Sequence, residues 1–163
     1  KSSATILYDS TVDEFTDDGL FNKVKGKGNI AIVCFTTDGD VFGGFYNVAV
    51  TKQRIQFNDP NMFGFSFESH GRCMTPQRFL VKEELRAKAF VCFDEHNTRY
   101  GFVWFVVDDC GGFDLGNERL DSYCCQLSGG FEGIQDTTLT GENGTWRSGP
   151  YHHCTRLVAI QLS

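Results

Sequence analysis

Seven cysteines and four histidines are the side chains of this sequence best suited to metal binding or nucleophilic chemistry. Structural zinc sites usually use paired ligands that are about two to four residues apart. The pairs Cys124–Cys125 and His152–His153 consist of adjacent residues, which point to opposite faces of a strand and do not suit that geometry. His70 and Cys73 have suitable spacing, but no second pair accompanies them. The sequence favours core thiols and loop histidines, with zinc as the alternative.

Cys110 is the strongest candidate for a reactive thiol because Gly111 and Gly112 follow it. Glycine-rich turns expose backbone N–H groups that can stabilise an oxyanion, and a cysteine nucleophile also needs a histidine within hydrogen-bond reach. Only folding could bring His96 or His152 to that position. The simpler interpretation is a tight turn whose glycines allow close backbone packing, and we predict no catalytic residue.

The acidic residues offer no regular cation site. The group Asp13, Glu14, Asp17 and Asp18 lacks the spacing of a calcium-binding loop, and carboxylates at the start of a helix explain it. The pair Asp108–Asp109 leaves a weak cation site open as an alternative to simple exposure. We find no phosphate-binding loop, no dinucleotide fingerprint and no catalytic serine motif, so no metal and no cofactor is predicted.

Length and charge limit the possible functions. The chain has 163 residues, which suits a single domain spanning 1–163. Its net charge of -6 argues against nucleic-acid binding and against an anionic membrane surface. No apolar run approaches the ~20 residues that a membrane-spanning helix needs, and no signal peptide opens the sequence. The odd number of cysteines, several within apolar runs, favours a reducing compartment. We expect a cytoplasmic protein with no integral membrane segment.

Short apolar segments separated by turns predict a mainly β fold. Strands are predicted at 4–8, 29–36, 40–46, 62–68, 87–93, 99–107, 119–126 and 155–162, and Asp38–Gly39 is a typical hairpin turn. A helix is predicted to begin after Thr16 and to end at Gly26 or Gly28. These elements favour two antiparallel sheets packed as a β-sandwich with short flanking helices.

Three further expectations concern side-chain placement. Residues 29–36 form a continuous apolar run, typical of a strand buried on both faces. Phe63, Phe65 and Phe67 alternate along one strand, and we predict that their shared face is core. The polar, glycine-rich segment 128–153 is predicted to form surface loops.

A series of motifs then resembles a known family. Residues 6–9 (ILYD) lead to 26–29 (GKGN), an apolar strand and 37–45 (TDGDVFGGF). Further on, 59–67 (DPNMFGFSF) and 110–115 (CGGFDL) follow in the same order. This set is similar to the TLDc family, whose best-known members are oxidation-resistance proteins. The second half departs from the family pattern, at residues 100–105 and 156–161.

The resemblance implies a β-sandwich, roles in oxidative-stress resistance and, in several members, binding to the vacuolar proton ATPase. It implies no accepted catalytic machinery, so we predict a non-enzymatic protein-interaction module. Two alternatives stay open: a cysteine-based redox enzyme and a metal- or calcium-sensing domain. The predicted partner contacts lie at two exposed family-like turns. They are Asp38, Gly39 and Asp40 at the hairpin, and Cys110, Gly111, Gly112, Phe113 and Asp114 at the second turn.

Overall fold

Short strands and tight turns place most of the chain in two antiparallel sheets. The structure is a computed structural model, and it describes residues 2–95, 101–116, 122–145 and 148–163. Its strands are β1 (Ala4–Asp9), β2 (Ile30–Thr36), β3 (Val41–Tyr46), β4 (Phe57–Asn58), β5 (Phe63–Glu68), β6 (Gln77–Leu80), β7 (Ala89–Phe93), β8 (Val103–Val107), β9 (Gly111–Leu115), β10 (Cys124–Cys125) and β11 (Cys154–Leu162).

The two sheets have a simple order. The six-stranded sheet runs β1-β11-β2-β3-β5-β6, and the five-stranded sheet runs β10-β9-β8-β7-β4. Aromatic rings join them across the interior. Phe42 of the first sheet meets Phe113 of the second at 6.0 Å between ring centroids, and Tyr46 meets Phe93 at 5.9 Å. The predicted β-sandwich is therefore confirmed.

Two α-helices and one 3₁₀ helix accompany the sheets in the described ranges. Helix α1 (Asp17–Val24) begins as predicted, because the Thr16 hydroxyl accepts a hydrogen bond from the Gly19 N–H at 3.0 Å. The other two are α2 (Leu127–Gly130) and a 3₁₀ helix at Glu83–Lys88. No helix in the described part of the chain is long and apolar enough to cross a bilayer.

The segment 128–153 differs from its prediction as surface loops. Phe131, Ile134 and Leu139 are buried in the main core, although little of the segment is regular structure. These apolar residues stand several positions apart among polar ones, so no period of two or of 3.6 marked them as buried. The predicted turn at 94–98 and the starts of the strands predicted at 99 and 119 fall at least partly outside the described residues.

The core lies between the sheets and contains most of the large apolar side chains. Its largest fully buried members include Tyr8, Tyr46, Phe93 and Phe105. At Gly44, the position of an added Cβ would lie 2.5 Å from the ring of Phe105. The two sheets can therefore approach closely at this point only because position 44 carries no side chain.

Candidate functional site

The hairpin turn after β2 places its three predicted contact residues in different environments. Asp38 and Gly39 are exposed, and Gly39 adopts a φ of 87°, which favours glycine. Asp40 is only 2% exposed. The expectation that all three residues form an exposed contact point is therefore wrong for Asp40.

Asp40 is held by two cationic or potentially cationic neighbours. Its carboxylate accepts a hydrogen bond from the Arg72 guanidinium, and it lies 2.8 Å from Nδ1 of His70. The same guanidinium donates to the carbonyl oxygens of Thr138 and Leu139, each at 2.9 Å. This network ties the hairpin to two distant segments, so the geometry gives Asp40 a structural role.

The second predicted turn is largely a strand. Gly111 begins β9, and Gly112, Phe113 and Asp114 are buried. An added Cβ at Gly111 would lie 2.0 Å from the Gln126 carbonyl oxygen. The glycines thus allow close packing of the chain near β10, as in the simpler of the two interpretations, and the prediction of an exposed loop is wrong from Gly112 to Asp114.

The buried members of this strand have clear packing roles. Phe113 stacks on Phe105 with 5.2 Å between ring centroids. One carboxylate oxygen of Asp114 accepts a hydrogen bond from the Gly101 N–H at 2.9 Å, and the other accepts one from the Tyr123 N–H. Cys110 and Gly111 remain partly exposed. Gly111, Gly112, Phe113 and Asp114 also line a cavity of about 560 Å³.

The structure does not bring Cys110 and His152, two of the predicted partners, together. Cys110 lies in the turn before β9. Its carbonyl oxygen packs so closely on Gly129 that an added Cβ there would lie 2.1 Å from it. His152 lies inside the sandwich, where its ring meets Phe42 at 5.4 Å, and burial lowers its pKa to about 4. No hydrogen bond joins either described residue to the other. His96, the other predicted partner of Cys110, falls outside the described residues.

Burial also sets the acidity of several thiols. It raises the pKa of Cys92 to about 11, and it raises the pKa values of Cys34 and Cys124 further above the usual range. A thiol with a raised pKa carries little thiolate at neutral pH and reacts slowly. Cys154 is also buried, whereas Cys73, Cys110 and Cys125 are partly exposed.

Alkylation with iodoacetamide near neutral pH is therefore expected to modify Cys73, Cys110 and Cys125 before the other four cysteines. The buried thiols should react only when the domain opens, because access and ionisation both limit them. Peptide mass spectrometry over a time course measures each rate, and a Cys110→Ser variant confirms the site assignment. A Cys110 that reacts faster than free cysteine would instead support the redox-enzyme alternative.

Three of the six candidate cation ligands make contacts with other side chains. Asp13 pairs with Lys23 at 3.0 Å, and Asp108 pairs with Lys88 at 2.9 Å. Asp18 accepts a hydrogen bond from the amide of Gln53 at 3.2 Å. Within the described ranges, no three His, Cys, Asp or Glu side chains are grouped as metal ligands.

The most unusual surface is the face of the six-stranded sheet that points away from the five-stranded sheet, here called the outer face. A solvent-facing side of an antiparallel sheet normally carries polar residues. Here Val33, Phe65 and Val158 form a second apolar cluster, apart from the main core. Partly buried apolar residues surround it: Ala31, Phe35, Val41, Phe63 and Ile160.

Several large apolar side chains on this face are open to solvent. Ile6 is 64% exposed, Phe67 51%, Leu162 40% and Leu80 37%. Contiguous exposed apolar patches of this kind mark interaction sites in soluble proteins. The outer face is therefore the strongest candidate for a binding surface.

The outer face contains the three phenylalanines that we predicted to be core. Phe63 and Phe65 belong to the outer cluster, and the interior positions of β5 are Gly64 and Ser66. At Gly64 an added Cβ would lie 3.3 Å from the ring of Phe113, which fills the space between the sheets. Phe65 is buried as predicted, but in the outer cluster, and the prediction is wrong for the exposed Phe67 and the partly buried Phe63. Apolar alternation identifies a face but not what lies opposite it.

A groove with a volume of about 340 Å³ crosses the outer face. Its lining includes Ala31 and Val33 on β2, Phe63 and Phe67 on β5, and Leu162 on β11. The lining is almost entirely apolar, so a ligand would be held mainly by burial of apolar surface.

Arginines stand at two sides of the face. The guanidinium of Arg78 lies over the ring of Phe63, 5.7 Å from its centroid, and that of Arg156 lies over Phe35 at 5.3 Å. Asp9 engages Arg156 through both carboxylate oxygens, and the hydrogen bond to Arg156 lowers the pKa of Asp9 well below its usual range. Arg156 is thus paired with a carboxylate, whereas none of the described carboxylates pairs with Arg78.

Comparison with protein families identifies the chain. The sequence profile of the TLDc domain matches residues 1–104. The chain belongs to the TLDc family. A comparison with curated proteins finds no match. The matched residues of this TLDc domain include β1, β2, β3, β5 and β6, which are five of the six strands that carry the outer face.

The sequence held one signal for the outer face. The continuous apolar run at 29–36 predicts a strand that is buried on both sides, and β2 of this TLDc domain does present apolar residues to both. Ala31 and Phe35 are nevertheless only partly buried, because neighbouring side chains cover the outer side incompletely. Because this side of β2 stays partly exposed, we interpret it as a binding face and not as a second core.

Proposed function

We propose that this TLDc domain is a non-catalytic module that binds a protein partner through its outer face. The observation that carries the proposal is the apolar, solvent-open surface around the groove, with Phe67 51% and Ile6 64% exposed. Burying apolar surface contributes about 25 cal/mol per Å², so a partner that covers several such side chains gains several kcal/mol before the costs of association.

The buried thiols support a binding role over a catalytic one. Cys34, Cys92 and Cys124 have raised pKa values, and the one described histidine considered as a base, His152, lies in the interior. A cysteine enzyme needs an accessible thiolate beside a base. These features favour a protein that works by contact.

The proposed cellular setting follows from the family resemblance. We place the protein in the cytoplasm, with peripheral subunits of the vacuolar proton ATPase as the partner and oxidative-stress resistance as the outcome. The net charge of -6 is in keeping with a partner other than nucleic acid.

Affinity capture from cell lysate with the folded domain as bait tests this proposal. Enrichment of peripheral proton-ATPase subunits is expected, and Phe67→Ser together with Leu80→Ser should reduce it about tenfold, a typical effect of removing apolar anchors. Both side chains are exposed, so the fold should tolerate the changes.

Val12→Ser provides the matched control, because Val12 is 83% exposed but lies between β1 and α1 rather than on the outer face. It should leave capture unchanged. Equal capture by the control and by the Phe67/Leu80 variant would show that the partner does not bind through the outer face. Absence of the ATPase subunits from all captures would remove the proposed partner.

A further inference from the structure

The shape of the outer face limits what can bind there. Strands β5 and β11 lie on either side of β2 and β3, so their side chains form two walls roughly 14 Å apart. Phe63 and Phe67 stand on one wall, and Ile160 and Leu162 stand on the other. Between them, Ala31 and Val33 on β2 and Phe45 on β3 line the floor of the groove.

This trough suits a helix. An α-helix with its side chains is about 10–12 Å across, which is comparable to the distance between strands β5 and β11. An added strand would need the free backbone groups of a sheet edge, whereas the backbone groups of β2 and β3 are paired with neighbouring strands on both sides. A single helix with an apolar stripe can instead bury that stripe against the floor and both walls.

The side of the groove next to β5 carries positive charge without paired carboxylates among the described residues. Arg78 is exposed. Arg78 and Arg86 both line a second cavity, together with Phe45 and Phe63. Among the described residues, no carboxylate pairs with Arg78 or Arg86. The Arg78 guanidinium lies over the Phe63 ring, and a guanidinium in such a cation–π contact can still donate its N–H groups to a carboxylate.

We infer that the outer face binds an amphipathic helix of a partner protein, with its apolar stripe in the groove and acidic residues along the edge that meets Arg78 and Arg86. The inference rests on the proposed function, because it specifies the chemistry of the partner at the same face. A second copy of this chain fits less well, since two such faces in contact would bring unpaired arginines together.

Three synthetic peptides of about 18 residues test the inference, a length that spans the sheet along its strands. The first has leucines at helical spacing with glutamates beside them. The second replaces those glutamates with lysines, and the third keeps the composition of the first in an order without helical periodicity. Fluorescence anisotropy of each labelled peptide gives its affinity for the purified domain, and sedimentation velocity gives the oligomeric state.

The acidic helical peptide is expected to bind at least about tenfold more tightly than the other two. In an Arg78→Glu, Arg86→Glu variant the preference should reverse in favour of the lysine peptide. Lys52→Glu changes the charge at an exposed position outside the groove and should leave the preference unchanged.

Equal binding of the acidic and basic peptides would overturn the inference, and so would equal binding of the aperiodic peptide. A stable dimer whose interface excludes the acidic peptide would overturn it in favour of a second copy. These outcomes are distinct from failure of the proposed function, which appears as capture that is insensitive to Phe67→Ser and Leu80→Ser.

Discussion

Phe105→Ala is expected to lower the free energy of unfolding by about 3–5 kcal/mol, the usual cost of deleting a buried phenylalanine ring. Phe105 is fully buried on β8, stacks on Phe113 and contacts Tyr46 across the interior at 6.4 Å. Its removal leaves a cavity at the centre of the sandwich. Urea denaturation followed by circular dichroism measures the loss, and Phe105→Leu offers a smaller cavity if the alanine variant does not fold.

A second substitution shows whether the space around Phe105 is as tight as the structure indicates. Gly44→Ala alone should cost about 1–3 kcal/mol, because the new methyl group would lie 2.5 Å from the Phe105 ring. In the Phe105→Ala background the same methyl group enters the cavity, so most of that cost should disappear. If the two free-energy changes add to within about 0.5 kcal/mol, the two positions are not in contact.

Asp40→Ala is expected to lower the free energy of unfolding by about 2 kcal/mol at neutral pH. The substitution leaves Arg72 without its carboxylate partner, and breaking a buried ion pair costs about 3–5 kcal/mol. The Arg72 side chain is still 27% exposed, so water compensates part of that loss.

Asp38→Ala is the matched control for this experiment, since Asp38 is exposed in the same turn. Its effect should stay within about 0.5 kcal/mol. If the two variants have the same stability, the Asp40 network contributes nothing measurable. If Asp40→Ala destabilises as expected, a loss of partner binding in that variant would reflect the fold and not a contact.

The burial of several predicted contact residues decides which of them can be tested for partner binding. An alanine substitution that weakens partner capture identifies a contact only where the fold is unaffected. Phe113 and Asp114 are as buried as Asp40, so substitutions there test stability. Asp38 and Cys110 keep enough exposure for a contact test, whereas a side chain at Gly39 or Gly111 would strain the backbone. The role of these four residues in partner binding stays a prediction.

Local patterns were enough to predict most of the secondary structure. Residues 29–36 and 155–162 are strongly apolar, and both form strands within one residue of the predicted bounds. The Thr16 cap fixed the start of α1 because the capping hydroxyl and the first helical N–H groups are close in sequence. The ordered family motifs also predicted the TLDc assignment that the profile match shows.

The sequence alone thus determined most of the longer strands, helix α1, the antiparallel sandwich and the family, because each depends on residues that are near one another or on motif order. Only the tertiary structure decided which apolar faces are covered. Phe63 and Phe65 point outward because Phe105 and Phe113, some 40 residues further on, fill the space beside Gly44 and Gly64. Asp40 is buried because Arg72 and the carbonyl groups at 138 and 139 converge on the hairpin. Such long-range contacts leave no periodic trace in the sequence, and they define the outer face.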